Sequence, residues 1–121
     1  MEQATKLTAQ DLDQFSGTDN WYRHSLMRKI SYTDGVKYLA DKAGAYWLID
    51  EIALAQLDKK IAAEEFQVWK LTVRPDHTAT LACEDGNYNA VFSKELTFTD
   101  FPLESISIWF ENDVIYLPGE R

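Results

Sequence analysis

Near residue 66 the spacing of apolar side chains changes, and this change limits the folds open to the chain. Before it, apolar residues recur at i, i+3, i+4 and i+7. After it they alternate. A period of 3.6 followed by a period of 2 describes helices first and strands second, an α+β domain. In the helical part, Thr8 predicts the cap of a short helix reaching about Phe15 and stopped by Ser16-Gly17. The stretch "WYRH" then reads as a connection and "KISY" as a short strand. Asp34 reads as the cap of a helix with Val36, Leu39, Ala40 and Ala43 on one face, stopped by Gly44. A second helix follows at once, with Ala45, Leu48, Ile49, Ile52 and Ala53 on one face. It runs to about Leu57 and is closed by the cations of "DKK".

The strands can be tested by parity, because a slip of one residue turns every side chain to the other face. A three-residue loop at Pro75-Asp76-His77 places Val73 opposite Ala79, Leu71 opposite Leu81 and Trp69 opposite Cys83. A two-residue turn at Asp85-Gly86 sets Cys83 against Tyr88, Leu81 against Ala90 and Ala79 against Phe92. A tight turn at Asn112-Asp113 joins Phe110 to Ile115 and Ile108 to Leu117, with Trp109 and Tyr116 meeting on the opposite side. All three choices keep the oily residues on one face. The expected architecture is therefore an antiparallel meander of about five strands, with the N-terminal helices packed on one face. Its last strand, "VIYLP", would lie at an edge guarded by Pro118. One domain over residues 1–121 is expected, mainly helical over 1–65 and mainly strands over 66–118.

Composition narrows the function. The formal charge of −8 works against binding to phosphate backbones. The acids are concentrated late: residues 76–121 hold nine of them against Lys94 and Arg121. The lone Cys83 allows no intrachain disulfide, and the first residues lack the pattern of a signal peptide. A cytoplasmic protein is expected, with no membrane span. With only His24, His77 and Cys83 as soft ligands, no pair has the spacing of a zinc site, and no metal or other cofactor is expected. Asp50-Glu51 and Glu64-Glu65 are adjacent pairs, which diverge by roughly 100° on a helix. Cys83 falls on the apolar face and reads as core. No nucleophile elbow and no glycine-rich phosphate loop occurs.

Three candidate surfaces remain. The first is a binding pocket formed by Trp21, Tyr22, Arg23, His24, Tyr32, Asp34, Trp47 and Asp50, where aromatic stacking and proton transfer could meet. It would make the chain a small enzyme or ligand-binding domain. The second is an interface on the outer sheet face through Val91, Trp109 and Tyr116, serving a partner protein or a second copy of the chain. The third is the basic cluster Arg23, Arg28 and Lys29, the one place nucleic acid could touch. The second agrees best with the acidic half and the missing catalytic pattern, so a non-enzymatic interaction protein is the leading expectation.

The blocks "FSGTDNWYRH", "YTDGVKYLADKAGAYWLIDEIA", "AAEEFQVWKLTV", "LACEDGN" and "FTDFPL", over about residues 15–118, resemble a family of small uncharacterised bacterial proteins. The resemblance implies a bacterial cytoplasmic setting on plasmids, phages or other mobile DNA. It supplies no assigned activity and no catalytic residue. In that setting a partner would be a host defence or DNA-handling protein.

Overall fold

The computed structural model describes residues 7–15 and 20–120. It is an α+β fold with α1 (Ala9–Leu12), β1 (Trp21–Arg23), β2 (Ser31–Thr33), α2 (Asp34–Ala43), α3 (Tyr46–Ala55), α4 (Lys59–Ala62), β3 (Phe66–Val73), β4 (Ala79–Glu84), β5 (Ala90–Leu96), β6 (Ser105–Glu111) and β7 (Val114–Tyr116). A 3₁₀ turn at Pro118–Glu120 follows. The seven strands form one mixed sheet in the order β1-β2-β7-β6-β3-β4-β5.

The expected five-stranded meander is corrected in two ways. First, β6 does not follow β5 in space; it returns to pair with β3, and β5 becomes an edge. The side chains explain this choice. On β6, Ile106, Ile108 and Phe110 are buried on one face and Trp109 is half-buried on the other, which suits a central strand. On β5, Ser93, Lys94 and Glu95 are all exposed, which suits an edge. Second, "WYRH" holds a strand. β1 pairs antiparallel with β2, and β2 lies parallel to β7 through Ser31↔Val114 and Tyr32↔Ile115. β7 is thus interior, and Pro118 begins the 3₁₀ turn instead of guarding an edge.

Two of the three turns match the parity argument. The first hairpin has Val73↔Ala79, Leu71↔Leu81 and Trp69↔Cys83. The last has Phe110↔Ile115 and Trp109↔Tyr116, with Asn112 and Asp113 both at positive φ. The middle turn differs. Its loop is one residue longer than expected and begins one residue later, at Gly86 between Asp85 and Asn89, and β5 carries a bulge, so Cys83 faces Phe92, Leu81 faces Lys94 and Ala79 faces Leu96. The extra loop residue alone would turn β5 over. The bulge turns it back, and Phe92 rejoins the core side.

Helix boundaries follow local chemistry. Thr8 caps α1 in a reciprocal box with Asp11. The expected stop at Ser16-Gly17 lies outside the described residues. Thr33, one residue before the expected cap, caps α2 through Val36 N–H, and Asp34 takes the first helical position. Gly44 ends α2 at φ 62°, a conformation that glycine adopts without strain. α3 stops at Ala55, two residues before the expected Leu57, and Asp58 opens the short α4 where a helix end was expected.

One face of the sheet buries Trp69, Leu71, Leu81, Cys83, Ile108, Phe110 and Ile115 against Val36, Leu39, Leu48, Ile49, Ile52 and Ile61 of the helices. Each fully buried aliphatic side chain contributes about 1.5–3 kcal/mol. Gln67 is also fully buried there. Its amide exchanges hydrogen bonds of 2.8 and 2.9 Å with the Gln56 amide, donates to the Ile61 carbonyl and accepts from Trp69 Nε1. This saturated pair ties α3, α4 and β3 together without leaving a polar atom orphaned.

Candidate functional site

Register decides where each candidate side chain goes. On β1, Tyr22 pairs with Tyr32 on the helix side, so Trp21 and Arg23 point to the outer side. The eight candidate binding residues therefore do not share one pocket. Tyr22, Tyr32 and Asp34 do come together: the Tyr22 hydroxyl donates to Asp34 Oδ1 at 2.9 Å, and the two rings stack at 5.7 Å. That hydrogen bond to a carboxylate raises the Tyr22 pKa above its ordinary value. Beside it, the Tyr46 hydroxyl and Lys37 both donate to Asp41, whose carboxyl is held low by the Tyr46 bond first and Lys37 second.

His24 and Asp50 also meet, at 2.8 Å. His24 is buried and Asp50 is half-exposed. His24 Nδ1 accepts the backbone N–H groups of Leu26 and Met27 at 3.1 and 3.0 Å, so the ring proton lies on Nε2 and is donated to Asp50. Both ring nitrogens are engaged. The residue holds the loop between β1 and β2 in shape and offers no vacant base. Arg23 turns away and donates to the Arg28 carbonyl at 2.7 Å. Trp21 lines a cavity of about 260 Å³ with Glu111, Asn112 and Tyr116. Trp47 lines a different one of about 250 Å³ with Leu96, Phe98 and Asp100.

The interface candidates also divide. Trp109 and Tyr116 meet edge to face at 6.0 Å, as expected. Val91 lies across the sheet from them, because β3 and β4 separate β5 from β6. Two residues that parity did not single out take its place. Phe66 meets Trp109 edge to face at 5.2 Å, and Val68 is Trp109's partner across the strand pair. Phe66, Val68, Trp109, Lys70, Ser107 and Tyr88 line a groove of about 310 Å³ on the outer face, together with Asp85, Gly86 and Pro118. Tyr88 is the unusual member: it is 82% exposed, and its backbone is at φ +69°. A bulky residue with positive φ is strained, and this one holds its ring over the groove. The outer-face positions of β3, read as Phe66, Val68 and Lys70, were the signal in the sequence.

Chemistry at Cys83 is closed off. The thiol is fully buried, and burial first, then Glu64, Glu84 and Asp85, push its pKa up to about 12. Among the described residues no cluster of three or more His, Cys, Asp or Glu side chains could hold a metal ion. Among them, too, no helix is long and apolar enough to cross a membrane.

Comparison with known proteins adds one match: the model of a family of unknown function (DUF6876) covers residues 6–121. No curated protein and no solved structure gives a significant match. By that coverage, the chain belongs to the family of unknown function DUF6876.

Proposed function

We propose that the chain is a non-enzymatic protein-recognition domain that binds through the sheet face turned away from the main helical layer. One observation carries the reading: the groove in which a strained, exposed Tyr88 stands beside the Phe66–Trp109 pair. Strain at an exposed aromatic contributes nothing to the core, and rigid aromatic anchors are the common energetic centres of protein interfaces. The resemblance to proteins of mobile bacterial DNA favours a partner inside a bacterial cell, of the host-defence or DNA-handling kind.

The test is capture from a bacterial lysate at moderate salt, run in parallel with Tyr88→Gly and Trp109→Ser. The expected result is a protein retained by the parent chain and lost by both variants while each keeps a cooperative unfolding transition. Retention that is the same for all three chains, or no retained protein and no self-association, would overturn the reading.

A further inference from the structure

The chemistry of the groove also restricts its occupant, on the premise that this face is a protein-binding surface. Addition of a partner strand is closed to it. β3 and β6, which form its floor, have hydrogen-bonded neighbours on both sides, so their backbone groups are used. Both sheet edges are guarded as well: β1 has three residues, and β5 carries a bulge and turns Lys94 toward the helices, where it pairs with Glu51. An occupant must therefore be held by its side chains.

What the groove presents to a side chain is aromatic rings, from Phe66, Trp109 and Tyr88. The faces of such rings are electron-rich and attract cations. The groove already shows this preference internally, since the Lys70 ammonium lies 5.8 Å from the Tyr88 ring centre and 3.2 Å from Glu84. Charge points the same way. Lys70 is matched by Glu84, which leaves the Asp85 charge in excess in the lining, and the whole chain carries −8. An anionic segment would be repelled and a basic one drawn in. Between the two basic side chains, arginine suits a ring-lined slot better. Its planar guanidinium stacks on a ring and still directs N–H groups sideways, whereas an ammonium is a strongly hydrated point charge. We propose that the groove takes an arginine side chain from a basic segment of the partner protein, which replaces Lys70 over Tyr88.

The experiment titrates the isotope-labelled full chain with short peptides that alternate glycine with arginine, lysine or glutamate, and with an all-proline peptide, following the Trp109 indole and Tyr88 amide resonances. The arginine peptide is expected to shift both signals and to bind about fivefold more tightly than its lysine counterpart. Lys70→Met is expected to tighten arginine-peptide binding by about threefold or more, because it removes the internal competitor and leaves Glu84 unpaired. Equal binding of the arginine and lysine peptides, or weaker arginine-peptide binding by Lys70→Met, would overturn the proposal. If the proline peptide or a second copy of the chain shifts Trp109 and Tyr88 and the arginine peptide does not, arginine recognition is wrong while the recognition face stands. If nothing shifts them and the lysate capture is also empty, both fall together.

Discussion

Arg74–Thr78 and Asp85–Asn89 close two successive hairpins with the same hydrogen bonds. In each, the first residue's carbonyl accepts from the fourth residue's N–H, at 2.9 Å from His77 and 3.3 Å from Tyr88. In each, the first residue's N–H reaches the fifth residue's carbonyl, at 2.8 and 2.9 Å. Each has an aspartate accepting from the turn backbone, and each has a fourth residue with positive φ that is not glycine. Their surroundings differ. His77 is built into the fold: its carbonyl accepts from Thr99 N–H at 2.8 Å, and its ring lies 5.8 Å from that of Phe98. The Tyr88 ring faces the groove, with the Lys70 ammonium 5.8 Å from its centre. The first hairpin continues in perfect register into the core, and the second needs a bulge to return to it. The same strained backbone thus serves assembly in one turn and presentation of a side chain in the other.

The largest expected difference between the hairpins is in packing. Leu71→Ala removes a fully buried member of the Leu71↔Leu81 pair and should cost about 3 kcal/mol, whereas half-buried Phe92→Ala should cost less than half as much. Urea unfolding measures both, and equal losses would show that β5 is as well anchored as β3. Cys83 borders both hairpins, facing Trp69 on one side and Phe92 on the other. Its pKa is raised in the folded chain, so the native state keeps the thiol proton after the unfolded state has lost it. Stability should be unaffected below about pH 9 and then fall by about 1.4 kcal/mol per pH unit toward pH 12. Unfolding midpoints at alkaline pH check this, and Cys83→Ala should remove that component of the slope.

Next in size are the strained residues themselves. Tyr88→Gly should stabilise by about 1 kcal/mol, since it relieves positive φ and gives up only exposed contacts. His77→Gly should come out near zero, because the relief is offset by the lost contact with Phe98. A stabilised Tyr88→Gly that no longer binds would separate the two roles of the shared backbone. A small effect also belongs to the exposed Arg74–Glu95 pair at 2.8 Å, which joins the first turn to β5. Arg74→Ala should cost little, and salt should mask the change. At the acid end, hydrogen bonds from Thr78 hold the Asp76 carboxyl low, and bonds from Asn89 and Asn87 hold that of Asp85 low. Both turns should therefore loosen only as pH falls below the usual carboxylate range, which side-chain titration by NMR can follow.

Legibility in the sequence followed the length of the pattern. The six-pair ladder of β3 and β4 and the Asn112-Asp113 turn were readable because alternation and turn chemistry agreed over many residues. Of the two three-residue strands, β2 was read within "KISY" but without its partners, and β1 was missed, because so short a segment shows no period. The bulge escaped because it offsets one extra residue with another, and parity counts only the sum. Strand order was readable in principle from polarity, since Ser93, Lys94 and Glu95 mark an edge. At the candidate site, Trp109 and Tyr116 were found by parity, whereas Phe66 and Tyr88 needed strand order and loop conformation. Gly35 carries a constraint that only tertiary structure reveals. A Cβ there would stand 2.8 Å from atoms of Glu120 and Leu117, because the Glu120 carboxylate accepts from Gly35 N–H, Thr33 Oγ1 and Leu117 N–H.

The junction of β2 with β7 sets an order of events during synthesis. Residues 31–35 leave the ribosome early, yet their strand partners are Val114 and Ile115 and their carboxylate cap is Glu120. At roughly 5–20 residues per second, the early segment waits several seconds for its neighbours. Local hairpins can form meanwhile, but the sheet cannot be closed from the front. A nascent chain halted before residue 114 would carry β1 and β2 with no sheet to join, in a form suited to chaperones.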